Sequence, residues 1–185
     1  IDLNTNDKLM NSDNYVASNK VSRISGIDGK ELKMTDTIYK LFSQNTFEWK
    51  KGVIGCNLSH LRVWTQIMKE KGNYFLVLED DVRFDKNWIN VWKKAVDHIP
   101  SDADLLYLGG VLPPNKTALP NASIAINEYW SEIIPNYYFS TTPLPIFHFC
   151  AYSYILTKSG VQKILNHLIH SDTKYYTISD QLLIS

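Results

Sequence analysis

The sequence predicts an α/β domain with a mostly parallel central sheet flanked by helices. Short apolar runs of strand length alternate with stretches whose apolar residues recur at three- and four-residue steps, the pattern of strands joined by helical crossovers. A chain of 185 residues with 44% hydrophobic content can bury one core. One apolar run, Phe75-Leu76-Val77-Leu78, ends in the three acids Glu79-Asp80-Asp81. Ligands of open α/β sheets gather at such strand ends.

The elements follow in order along a single domain, 1–185. The chain is rich in Asn, Asp and Lys as far as Lys20. Val21 to Ser25 then reads as a short strand closed by the turn Gly26-Ile27-Asp28-Gly29. Residues 30–50 are weakly patterned. From Gly55 a helix is expected, because Leu58, Leu61, Trp64 and Met68 form one apolar stripe, and Lys69 and Lys71 before Gly72 supply a cationic last turn and a stop. Tyr74 to Leu78 is too short for a helix and fits a strand buried on both faces. Trp88, Ile89, Trp92, Ala95, Val96 and Ile99 mark an amphipathic helix ended by Pro100. Asp104 to Leu108 reads as another buried strand, closed by Gly109-Gly110. Residues 111–147 hold most of the prolines and many aromatics, among them Tyr129, Trp130, Tyr137, Tyr138 and Phe139, and are too long for a structureless loop. Phe149 to Leu156 resumes as a strand. Thr157 caps a helix carrying Val161, Ile164, Leu165 and Leu168, and Tyr175 to Ile178 is a candidate last strand.

Composition narrows the partners. Lys plus Arg and Asp plus Glu both number 19, so no global basic field draws the chain to nucleic acid or to an anionic membrane surface. No apolar run approaches the roughly 20 residues of a membrane span, and the polar start is no signal peptide. The chain as given reads as soluble, with the cytoplasm the preferred compartment. It begins without Met and stops just after Leu182-Leu183-Ile184, which is compatible with a fragment of something longer. Cys56 and Cys150 make no disulfide framework; buried thiols are preferred over a single bridge. Asn57, Asn115 and Asn121 begin Asn-x-Ser/Thr triplets, which carry meaning only in a secretory context. Oligomeric state is not legible.

The acid-ended strand carries the chemistry. Side chains alternate along a strand, so continued extension sends Glu79 and Asp81 to one side and Asp80 to the other. Two carboxylates about 4 Å apart repel by roughly 4 kcal/mol at an effective dielectric near 20, and a divalent cation relieves that repulsion. A hard ion held by oxygen, Mn²⁺ or Mg²⁺, fits. The alternative is a solvated acidic turn capping the next helix; the apolar strand upstream favours the metal or phosphate site.

The run Gly52-Val53-Ile54-Gly55-Cys56-Asn57-Leu58-Ser59-His60-Leu61-Arg62-Val63-Trp64, followed by Leu76 to Val82, resembles glycosyltransferase family 25. That family includes bacterial lipooligosaccharide galactosyltransferases and collagen hydroxylysine galactosyltransferases. Arg23 to Gly29, Asp104 to Gly109, Ala151-Tyr152 to Gly160, and Asp180 extend the resemblance over most of the chain. It implies a GT-A, Rossmann-like fold, a UDP-hexose donor carrying galactose or glucose, and an inverting transfer to a glycan or protein hydroxyl such as hydroxylysine. Glu79-Asp80-Asp81 then takes the part of the family's Asp-x-Asp-like motif. On that resemblance Glu79 and Asp81 are the first choices as metal-side or ribose-side ligands, Asp81 thereby joins the catalytic set, and Asp80 stands beside them at the donor.

Further donor contacts fall on Ser59 and His60, near a helix start where backbone N–H groups favour an anion. Arg23 and Asp28 join them at the nucleotide, although an Asp before Gly is also explained as turn chemistry. Inversion needs a base for the acceptor hydroxyl, and Asp180 is the candidate, against a plain helix-start role. His148 is a further candidate, His167 and His170 read as surface or packing residues, and Cys56, Leu58 and Trp64 as packing. The aromatics from Tyr129 to Phe149 suit sugar stacking for a few and packing for most. Rival readings are a metal-dependent phosphotransferase or nuclease, and a catalytically inert sugar-binding relative. The absence of a glycine-rich phosphate loop and of basic clusters counts against the first, and the unbroken acid cluster against the second.

Overall fold

The computed structural model describes residues 21–45, 47–111, 123–133, 138–139, 142–145 and 149–170. Helices α1 (Asp36–Leu41) and α2 (Lys51–Ile67) precede strand β1 (Tyr74–Leu78). Helix α3 (Trp88–Ala95) continues as a 3-10 turn (Val96–His98) into β2 (Leu105–Val111). Short strands β3 (Ser123–Ala125), β4 (Ser131–Ile133), β5 (Tyr138–Phe139) and β6 (Thr142–Pro145) lead to the long β7 (Phe149–Thr157) and helix α4 (Lys158–His170).

The fold is mixed α/β, but the mostly parallel sheet expected from the sequence is corrected. The main sheet has the order β1-β7-β2, and β7 runs antiparallel to both neighbours, with Leu78 opposite Ser153 and Leu105 opposite Leu156. β1 and β2 therefore point the same way, as a strand-helix-strand unit should. The gap between them is filled by β7, which returns in the opposite sense after the 111–147 excursion. Apolar periodicity reports that a segment is a strand; it carries no information about direction or neighbour.

Burial follows that order. Ala151 and Ser153 to Leu156, on the middle strand, are all buried. On β1 only one face is: Val77 is 8% exposed, while Tyr74 and Leu76 are each 54% exposed, which corrects the expectation of burial on both faces. β2 does not close at Gly109-Gly110 either. It runs on to Val111 with register shifts on both sides of Gly109, the irregularity that a strand glycine permits.

α2 begins at Lys51, earlier than the apolar stripe indicates. Gly55 of α2 and Gly29 of the preceding chain are the docking points. A Cβ on Gly55 would lie 2.5 Å from the Ile27 carbonyl oxygen, and one on Gly29 would lie 2.4 Å from that of Lys51. The chain before it is not the expected strand: among the described residues Val21 to Ser25 joins no ladder, and the stretch from Ser25 to Gly29 is strapped to α2 instead. Arg62 donates to the Ser25 carbonyl at 2.9 Å, and the Ile27 N–H donates to Ser59 Oγ at 2.8 Å. In the weakly patterned stretch, Thr35 caps the short α1 by accepting from the Ile38 N–H.

At the other end of the sheet Thr157 caps α4 as expected, its Oγ1 accepting from the Gly160 N–H at 3.0 Å. Asp104 ties this helix start to β2. Its carboxylate takes hydrogen bonds from Thr157, Ser159 and Lys163, and its carbonyl accepts from the Thr157 N–H. Burial opposes ionisation of Asp104, but the three hydrogen bonds and the Lys163 charge prevail and lower its pKa. Two described aromatics of the excursion pack against the helix before β2. Trp130 Nε1 donates to the Ala95 carbonyl at 2.9 Å, and Tyr129 stacks on His98 with ring centroids 5.0 Å apart. Among the described residues no helix is long and apolar enough to cross a membrane. The candidate strand Tyr175 to Ile178 lies outside them, as do Asn115 and Asn121.

Candidate functional site

Four-residue spacing puts Cys56, His60 and Trp64 on one face of α2. That face lies against β7 and the end of β1. Trp64 is fully buried, His60 is 5% exposed, and Tyr154 of β7 is fully buried beside them. Each polar atom has a partner. Trp64 Nε1 donates to the Tyr154 hydroxyl oxygen at 3.2 Å, His60 Nδ1 lies 2.8 Å from the same hydroxyl, and His60 Nε2 lies 3.1 Å from Glu79 Oε1. Glu79 is held by its backbone too, its N–H donating to the Tyr152 carbonyl at 2.9 Å. An unpaired buried group would cost about 1–3 kcal/mol, so this chain of contacts fixes the ring and the carboxylate together.

Electrostatics strengthens the pair. Burial works against a charged His60, but hydrogen bonding to Cys56 and Glu79 and the adjacent negative charge outweigh it and raise the imidazole from 6.5 to about 9. At neutral pH the ring is an imidazolium, which donates Nε2–H to Glu79 and Nδ1–H to Tyr154. Tyr154 is raised from its ordinary value, first by burial and then by the Glu79 charge, so its hydroxyl stays neutral.

Beyond Glu79 the character changes. The strand ends at Leu78, and a turn closed by the Val82 N–H on the Glu79 carbonyl at 3.3 Å carries Asp80 and Asp81, both exposed. Extended geometry does not persist through the acids, so alternation along a strand does not decide where Asp80 and Asp81 point. Nor do these acids serve the following helix; the carboxylate that accepts from the Asn87 N–H, at 2.8 Å, is that of Asp85.

The other residues singled out in the sequence fall as follows. Ser59 and His60 lie in the third turn of α2, since the helix begins at Lys51, and so are not at a helix start with free N–H groups. Ser59 donates to the Gly55 carbonyl at 2.7 Å and accepts from Ile27, a helix-to-strap tie. Asp28 accepts from the Lys30 N–H at 2.8 Å, the local turn chemistry, and Arg23 is exposed. Asn57 is fully buried inside α2, out of reach of a glycosylating enzyme in the folded chain. His167 and His170 are exposed on α4. Asp180 and His148 lie outside the described residues.

Cys56 corrects an expectation. It is a free, exposed thiol, not packing. One ligand atom from each of Cys56, His60 and Glu79 lies within 4.8 Å of the others. Tyr154 was legible only as part of a strand; Tyr152, Ser153 and Thr157 on the same strand also carry hydroxyls, so no sequence signal singled it out.

The sequence profile described as Glycosyltransferase family 25 (LPS biosynthesis protein) matches residues 3–182. Over 89 residues the chain is 35% identical to the human "Inactive glycosyltransferase 25 family member 3", covering 44% of this chain and 15% of that protein. Over 91 residues it is 35% identical to human "Procollagen galactosyltransferase 2", covering 44% and 14%. A putative glycosyltransferase of Acanthamoeba polyphaga mimivirus is 39% identical over 82 residues, covering 43% and 25%. The chain thus spans a quarter or less of the length of these curated relatives. No solved structure matches it. A profile match over nearly the whole chain, with its two central motifs meeting at the His60–Glu79 contact, establishes that the chain belongs to glycosyltransferase family 25.

Proposed function

We propose that the chain is the donor-binding part of a UDP-sugar-dependent hexosyltransferase of GT-A type, which passes galactose or glucose with inversion to a glycan or protein hydroxyl. The observation that carries this reading is the acid turn at the carboxyl end of β1, anchored through Glu79 to α2, in a chain of a sugar-transferring family. Strand ends are where open α/β sheets bind ligands.

Asp80 and Asp81 are exposed hard oxygen donors in one turn, a donor set that fits Mn²⁺ or Mg²⁺; Glu79 adds an oxygen held in place by His60. When bound, such a cation offsets charge on a departing diphosphate. The chain's own residues do the rest. His60 and Tyr154 orient Glu79, the Ser59 and Arg62 ties hold the Ser25–Gly29 strap where Asp28 and Arg23 can meet a nucleotide, and Asp180 takes the acceptor proton. A second reading, an inert relative that binds without turnover, is favoured by the human relative named inactive.

The test is calorimetric UDP binding with and without Mn²⁺, alongside slow UDP release from UDP-galactose and UDP-glucose. Metal-dependent binding and release, both lost in Asp81→Ala, support the transferase. Binding without release supports the inert relative, and tight binding that ignores the metal overturns the role given to the acids.

A further inference from the structure

Cys56, His60 and Glu79 come from two elements, yet their ligand atoms lie within 4.8 Å of one another. Carboxylates alone would suit a hard ion. Here the set is one sulfur, one imidazole nitrogen and one carboxylate oxygen, the mixture that selects zinc-class cations over Mg²⁺ or Mn²⁺. We propose that these three side chains form a binding site for a divalent zinc-class cation, distinct in ligand chemistry from the exposed carboxylates of Asp80 and Asp81.

Three features of the surroundings support it. His60 is aimed: its Nε2 faces Glu79, while its Nδ1 is held at 2.8 Å by the Tyr154 hydroxyl. A metal-binding imidazole needs this arrangement, one nitrogen on the metal and the other fixed by a buried partner. Tyr154 is itself fixed by Trp64, so the outer contacts are in place before any ion arrives. Access is provided from one side, since Cys56 is exposed and Glu79 half-buried while His60 closes the inner wall. Three protein ligands leave a fourth tetrahedral position for water or a ligand atom, the open form of a zinc site. The ion would sit between Nε2 and Glu79, replacing that hydrogen bond with two metal bonds while Nε2 and the Cys56 thiol each release a proton to solvent. The inference does not depend on the transferase reading, although both use Glu79.

Co²⁺ reports the site directly, because a thiolate ligand gives it a charge-transfer absorption that oxygen ligands do not. The 185-residue chain titrated with Co²⁺ is expected to show that band with a 1:1 endpoint, retained in excess Mg²⁺ and abolished by equimolar Zn²⁺. Cys56→Ala, at an exposed position, should remove the band with folding intact, and Asp81→Ala should leave it unchanged. Tyr154→Phe should keep the band and weaken Co²⁺ binding by roughly 10–100-fold, the usual cost of losing an outer contact to a metal-bound His. The proposal is overturned by the absence of a thiolate band, by a band that survives Cys56→Ala, or by one lost in Asp81→Ala. None of these outcomes touches Mn²⁺-dependent UDP binding, so the two readings fail separately.

Discussion

The α2–β7 seam and the acid turn are joined at Glu79 and built on opposite principles. In the seam Trp64 and Tyr154 are fully buried, His60 nearly so, and each of their polar ring atoms is matched. In the turn Asp80 and Asp81 are exposed carboxylates beyond the last residue of β1. The contrast separates stability from ligand binding. A buried, fully paired network resists change, while neighbouring exposed charges remain free to pay desolvation only when a ligand arrives. Glu79 belongs to both, one residue past the ladder and locked from behind.

The largest effect should come from breaking the seam at its best-packed point. Trp64→Ala removes a fully buried ring and the donor to Tyr154, so we expect a loss of about 3–5 kcal/mol, read by denaturant midpoint with urea. A loss below 1 kcal/mol would mean that the seam does not hold the fold.

The next comparison uses one substitution at two positions of one helix. Gly55→Ala places a methyl 2.5 Å from the Ile27 carbonyl oxygen, a backbone atom that cannot swing aside, and should cost about 1–3 kcal/mol by pushing the strap off α2. At Gly52 nothing lies within 4 Å, so the helical gain of Ala over Gly is unopposed there, and Gly52→Ala should stabilise by about 0.5–1 kcal/mol. Opposite signs in thermal melts check this; equal effects would show that helix propensity rather than docking decides both.

Much of this was legible because it is local. The stripe of Leu58, Leu61, Trp64 and Met68 marked α2, Thr157 marked the start of α4, and the acids after Leu78 marked a strand end. What escaped the sequence depends on who stands beside whom. β7 between β1 and β2 is a pairing across residues distant in the chain, and apolar runs do not encode it. Cys56 is of a residue type that packs readily in cores, yet it lies exposed on α2. Ser59 and His60 looked like helix-start residues because Gly52 and Gly55 hid the helix's first turn; Gly55 is there to let the strap dock.

A smaller effect separates the other end of the sheet from the site. Asp104 has a lowered pKa in the folded chain, so the unfolded chain binds a proton more readily. Its contribution is present above the ordinary carboxyl value of 3.8 and is lost as pH falls through the lower folded value. Asp104→Asn should cost about 1–2 kcal/mol at neutral pH, limited by the exposure of Lys163, and the gap to the unmodified chain should shrink on acidification below 3.8. A gap that stays constant with pH would assign the effect to packing instead.

Asp81→Ala should do least to the fold and most to the ligand. The side chain is exposed in a turn whose closing hydrogen bond, from the Val82 N–H to the Glu79 carbonyl, is made by backbone alone. Removing the carboxylate therefore leaves the turn intact, and stability should move by less than about 0.5 kcal/mol. Mn²⁺-dependent UDP binding, in contrast, loses one of the hard oxygen donors of the proposed set, leaving Asp80 and Glu79. Melting and calorimetry on the same preparation test the division: an unshifted melt with lost binding places Asp81 on the ligand side, whereas a melt lowered by 2 kcal/mol or more would make the turn part of the seam.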